Sequence, residues 1–150
     1  VIPFGFALHC IRPVIPLDNM CRILRDARRI VVLGASPNAA RTSNDIARYL
    51  MRAGYEIVPV NPNYHEVLGL GCLPRLQDVE TPVDIVDVFR AAEHEAEVAD
   101  EILAMKARPR AVWFQLDAGG FGVRKKLEEA GITCFVDQCI KVDHHRCGGT

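Results

Sequence analysis

The run Arg29-Ile30-Val31-Val32-Leu33 leads into Gly34-Ala35-Ser36-Pro37-Asn38-Ala39-Ala40-Arg41-Thr42-Ser43, and Ile46, Ala47, Tyr49, Leu50 and Ala53 then recur at helical spacing up to Gly54. A short β-branched run, a small-residue loop and an amphipathic segment stopped by glycine together read as strand, loop and helix. The same unit recurs along the chain. Further apolar runs at Glu56–Val60, Asp84–Phe89, Ala111–Phe114 and Ile132–Val136 mark four more strands. Two more helices lie between them, one using Ala92, Ala96, Ala99 and Leu103 and one using Val123, Leu127 and Ala130 before Gly131.

Strands this uniformly apolar have no face for solvent, so they belong to a parallel sheet covered by helices on both sides. The expected fold is α/β, a Rossmann-like three-layer domain with a mainly parallel sheet of five to six strands. Leu76-Gln77-Asp78-Val79 reads as a short element before Thr81-Pro82, and Val67 to Leu73 as a small extra strand. Pro59 removes a ladder donor from its strand and predicts an irregular or unpaired position there. Ligands of such sheets bind where the loops at the C-terminal strand ends converge, at the switch in strand order.

At 150 residues, 49% of them hydrophobic, the chain is of the size that builds one core. Residues 20–146 are expected to form that domain and 147–150 a tail. Residues 1–19 carry Pro3, Pro13 and Pro16 and no period, and read as an extension outside the core, with Met20 a natural start for the domain. A formal charge of −1 offers no basic field for a nucleic-acid backbone. No apolar run reaches membrane-spanning length. Cysteines at 10, 21, 72, 134, 139 and 147 show neither metal-ligand nor disulfide spacing. They are expected to be mostly buried small apolar residues, without disulfides, of a cytoplasmic protein.

The loop after the first strand is where chemistry is expected. It ends at a helix N-terminus, whose free N–H groups and partial positive charge favour a phosphate, and Arg41 adds a full charge with a forked donor set. Thr42 with Asp45 reads as a capping pair, with Ser43 as an alternative cap. Only Gly34 stands where dinucleotide sites carry three glycines, and Asn61-Pro62 stands where they place an acid, so NAD is not the first choice.

Five segments in order resemble the stand-alone CoA-binding proteins, whose domain is similar to the N-terminal CoA-binding domain of the succinyl-CoA synthetase α subunit. They are Val31 to Pro37, Ile57 to Pro62, Val83 to Arg90, Ala111 to Leu116 and Val136 to Lys141. The resemblance implies a site for coenzyme A or an acyl-CoA. Gly34, Ala35 and Ser36 would let the backbone approach the pyrophosphate, with Arg41, Thr42 and Ser43 around it. Asn61 and Pro62 would border the adenosine, and Gln115 would lie near the pantetheine arm. Phe89 would line the wall, with core packing as its alternative role, and Arg90 would supply a second cation. The implied function is a binding or regulatory module without complete catalytic machinery, acting alone, as a homodimer or on a protein partner. The alternative is a small NAD(P)-binding oxidoreductase or an acyl-CoA-processing enzyme using Cys139. The cluster Cys139, Lys141, Asp143, His144 and His145 otherwise reads as a tail with solvated histidines.

Overall fold

The computed structural model describes residues 15–149. Five parallel strands form the central sheet: β1 (Arg29–Leu33), β2 (Glu56–Val60), β5 (Ile85–Val88), β6 (Ala111–Phe114) and β7 (Thr133–Val136), in the order β2-β1-β5-β6-β7. β3 (Glu66–Val67) and β4 (Leu70–Gly71) make a small antiparallel hairpin, where a single extra strand was expected. The helices are α1 (Leu17–Asp26), α2 (Thr42–Arg52), α3 (Glu95–Leu103), α4 (Arg124–Glu129) and α5 (Ile140–Arg146). Leu76–Asp78 forms a single 3-10 turn.

The side chains of alternate strand residues divide the interior into two cores, as the two-residue period of a strand requires. Val31, Val86, Val88, Val112 and Phe114 pack under α3 and α4 through Val98, Ala99, Ile102 and Leu127. On the other side Ile30, Val32, Ile85, Trp113 and Phe135 pack under α1, α2 and α5 through Leu24, Ile46, Leu50 and Ile140. The Trp113 and Phe135 rings stack across neighbouring strands with centroids 3.9 Å apart. The result is the expected three-layer α/β domain.

Several expectations need correction. The buried stripe of α3 is Val98, Ala99 and Ile102; Ala92 is exposed ahead of the helix, which starts at Glu95, and Ala96 lies on its exposed side. Residues 17–19, read as extension, are the first residues of α1, and the rest of that extension up to residue 14 lies outside the described residues. Pro59 sits in register with Val32 on the edge strand β2, with its carbonyl turned outward to accept from Leu73 N–H at 3.0 Å. Its missing N–H therefore faces the sheet edge and costs the ladder nothing.

The cysteines hold the largest departure. Cys21 of α1 is disulfide-bonded to Cys147, just after α5, across 126 residues of sequence. Spacing in sequence cannot reveal a bond between two helices that meet only in the folded layer. Cys72 and Cys134 are free and buried, as expected, and Cys139 is free and half-buried.

α5 is also no solvated tail. Trp113 Nε1 donates to Asp143 Oδ2 at 2.9 Å, Tyr49 Oη and His144 Nδ1 share a hydrogen bond of 2.8 Å, and Lys141 Nζ donates to Asp45 Oδ2 at 3.0 Å. Burial and the neighbouring His145 hold the His144 imidazole below its ordinary pKa. Only His145 of the two histidines is exposed.

Candidate ligand-binding site

In the order β2-β1-β5 the chain runs from β1 to one side and returns to the other, which makes the C-terminal end of β1 the switch point of the sheet. The loop leaving β1 there is built by side chains. Ser36 Oγ accepts from Asn38 N–H at 3.1 Å, and Asn38 Oδ1 accepts from Ala40 N–H at 2.9 Å. Two asparagines outside the loop pin it from behind, Asn44 Nδ2 donating to Ser36 O at 2.9 Å and Asn61 Nδ2 to Ala35 O at 2.8 Å. Gly34 is required by both conformation and space: its φ is +90°, and a Cβ there would stand 3.3 Å from the Phe89 backbone. The loops after β1 and β5 therefore meet backbone to backbone.

The helix that follows is not capped as expected. Arg41 holds the N-cap position in extended geometry (φ −83°, ψ 140°) with no side-chain cap bond, and Thr42 is already helical. The turn begins one residue too early for Thr42 to cap it, and Asp45 binds Lys141 instead. Asn44 and Asp45 N–H both reach Arg41 O, at 3.1 and 3.2 Å, whereas the N–H groups of Thr42 and Ser43 find no acceptor among the described residues. Two free amides of an eleven-residue helix, with its dipole behind them, are an anion-binding arrangement.

A cavity of about 740 Å³ opens at this point. Of the residues singled out in the sequence, Gly34, Ser36, Arg41, Thr42, Ser43, Asn61, Phe89, Arg90 and Gln115 all line it. Ala35 and Pro62 do not: Ala35 is buried behind the loop, and Pro62 is exposed beyond it. Phe89 packs against the inner core and also forms cavity wall, so its two alternative roles coexist. The two cations differ. Arg90 is engaged by Glu97 at 3.4 Å and Glu101 at 3.5 Å, while among the described residues no carboxylate pairs with Arg41.

Tyr64, Ala91, Leu116, Asp117, Ala118 and Cys139 complete the lining and were not assigned to the cavity from the sequence. Most follow directly after strand ends, and that position was the available signal. Beneath the lining lies a buried pair. Gln115, 5% exposed, donates from Nε2 to Oδ1 of Asp87, which is fully buried in β5. Burial pushes the Asp87 carboxyl up to about 8, the Gln115 bond opposing it. Its Oδ2 has no hydrogen-bond partner among the described residues. Among the described residues no cluster of His, Cys, Asp or Glu is arranged to hold a metal ion, and no helix is long and apolar enough to cross a membrane.

A Rossmann-like domain with a preformed small-residue loop, an uncapped helix start and an unpaired arginine around one cavity at the switch point belongs to the class that holds small ligands at the sheet edge. The comparison with known proteins is more specific: the chain belongs to the CoA binding domain family, whose model matches residues 28–145. It is 39% identical over 122 residues, 81% of this chain and 89% of the other, to uncharacterized protein YneT of Bacillus subtilis (strain 168). A hypothetical protein from Pyrococcus horikoshii OT3 has a similar structure, with a TM-score of 0.83 and 32% identity over 90% of this chain and 94% of that one. A shorter match, 31% identical over 64 residues, relates 43% of this chain to 9% of the ADP-forming acetate–CoA ligase I of Archaeoglobus fulgidus.

Proposed function

We propose that this protein binds coenzyme A or an acyl-CoA in the cavity at the end of β1, as a binding or regulatory module. The observation that carries the reading is the first turn of α2, where the free amides of Thr42 and Ser43 and the unpaired Arg41 face one cavity together. A pyrophosphate there gains charge-assisted hydrogen bonds from a loop that is already in place, so little ordering cost offsets the binding. A volume of about 740 Å³ suits an extended nucleotide-bearing ligand. Membership of the CoA binding domain family supports coenzyme A among such ligands.

Nicotinamide dinucleotides are disfavoured by the same geometry. Asn61, at the end of β2, spends its amide on Ala35 O and carries no carboxylate for an adenine ribose. The rival reading, an enzyme using Cys139, draws support from that residue's place in the lining. Yet no base is bonded to the Cys139 side chain among the described residues.

Thermal melting tests the proposal. A ligand at 100 times its dissociation constant stabilises by about 2.7 kcal/mol, a shift of about 5–10 °C for a chain of this size. Coenzyme A or acetyl-CoA should produce such a shift and NAD or NADP should not. A response to the dinucleotides alone would overturn the assignment.

A further inference from the structure

The wall of the cavity changes character along the sheet. At the ends of β1 and β2 it is polar, with Ser36, Arg41, Thr42, Ser43 and Asn61. At the ends of β5 and β6 it carries Phe89, Ala91, Leu116 and Ala118, with the amide of Gln115 bonded inward to Asp87. β6 stands two strands from β1, about 10 Å at the usual spacing of about 4.8 Å between neighbouring strands. A ligand that fills both ends needs an anionic part and, about 10 Å away, an apolar one.

Leu116 is the most open large hydrophobic side chain among the described residues, 62% exposed. A loose loop is not the reason. Ala118 N–H donates to Gln115 O at 2.9 Å, closing a turn around Leu116 and Asp117, and Gly120 N–H donates to Glu95 Oε2 at 2.6 Å. Gly120 packs so closely on the Phe114 ring that a side chain there has no room. Held at both places, the loop presents Leu116 to the cavity in a fixed position, so an apolar ligand group that covers it gains by burial with little ordering cost.

The charges at this end select further. Arg90 is spent on Glu97 and Glu101, and Asp117, exposed beside Leu116 in the lining, adds a carboxylate. The β5–β6 end is therefore net acidic, whereas the α2 end is cationic. A ligand tail ending in a carboxylate meets like charge there and an uncharged tail does not.

We infer that the cavity is built for a coenzyme A thioester carrying an uncharged aliphatic acyl group, with the diphosphate at the first turn of α2 and the acyl group against Leu116. The inference rests on the coenzyme A reading and adds to it the class of acyl group, with Leu116 and Asp117 as its specificity residues.

Titration calorimetry with coenzyme A, butanoyl-CoA and succinyl-CoA tests it, the two thioesters having acyl groups of equal carbon count that differ in a terminal carboxylate. Butanoyl-CoA should bind about tenfold more tightly than coenzyme A, the scale of covering two or three methylene groups on a half-open surface, and succinyl-CoA should lose that gain. Leu116→Ser, at a position the fold leaves open, should erase the butanoyl preference with coenzyme A affinity held within about twofold. Asp117→Asn, a change that the backbone at φ +66° accepts, should strengthen succinyl-CoA alone. Butanoyl-CoA within about twofold of coenzyme A would overturn the inference, as would Leu116→Ser weakening both alike or succinyl-CoA matching butanoyl-CoA. In all three cases coenzyme A still binds and the ligand reading stands. If none of the three ligands bound, that reading itself would fall, and this inference with it.

Discussion

Opening the Cys21–Cys147 bond should destabilise the domain about as much as the most damaging single core truncation. The bond joins α1 to the end of α5 across 126 residues, nearly the whole described chain. Closing a loop of that length removes unfolded-chain entropy worth about 5 kcal/mol at 25 °C. For a domain of about 150 residues, each kcal/mol moves the melting temperature by about 2–4 °C, so the loss should lower it by about 10–20 °C. Melting curves with and without reductant, and of Cys21→Ser and Cys147→Ser, measure this directly. The two variants should fall together, and reductant should not lower either further, because each removes the same cross-link. Thiol labelling under denaturing conditions, read by mass spectrometry, gives an independent check, with Cys72, Cys134 and Cys139 labelled and Cys21 and Cys147 protected when the bond is intact. Labelled Cys21 and Cys147 in the unreduced protein, or variants that melt within about 2 °C of the parent, would refute the reasoning. In a reducing compartment the bond would open, and α5 would be held by the packing of Ile140 and the Asp143, His144 and Lys141 contacts.

Arg41→Ala should weaken coenzyme A by about 10- to 100-fold and flatten the salt dependence of binding, as expected for loss of one charge-assisted contact, with melting in the absence of ligand nearly unchanged. Gly34→Ala places a methyl group 3.3 Å from the Phe89 backbone at a φ of +90°, and should cost about 1–3 kcal/mol in urea unfolding while narrowing the cavity mouth. Asp87 makes a pH prediction. Its carboxyl, raised from 3.8 to about 8 by burial, stays protonated in the fold where the unfolded chain ionises. Its contribution to stability therefore declines as pH rises from about 4 to about 8 and is level above that, a fall of up to several kcal/mol. Asp87→Asn should remove this slope, which chemical unfolding at pH 5 and pH 8.5 would show as a variant that gains on the parent at the higher pH.

The alternation of apolar runs with helical periods was enough to read the three layers and all five strands of the main sheet, because strands covered on both faces are apolar throughout. Ends were less legible. The pattern reads Asp84 and Phe89 as strand, whereas β5 runs Ile85–Val88, and both flanking residues still donate to β1, Asp84 N–H to Arg29 O at 3.0 Å and Phe89 N–H to Leu33 O at 2.9 Å. The loop after β1 was identified because Gly34 and the helix start are local features. What joins distant parts of the chain was not readable from spacing, and this covers the Cys21–Cys147 bond, the Trp113–Asp143 bond that anchors α5, and the place of Cys139 in the cavity wall. Asn44 shows the same limit. Nothing in the sequence singles it out, yet its side chain reaches back eight residues to hold Ser36 O.

Calorimetric titration of the purified, ligand-free protein with coenzyme A and, separately, with NADH bears most directly on the central claim. The account predicts one coenzyme A per chain with a binding heat that weakens as salt rises, and no saturable heat with NADH. Saturable binding of NADH with none for coenzyme A would contradict it.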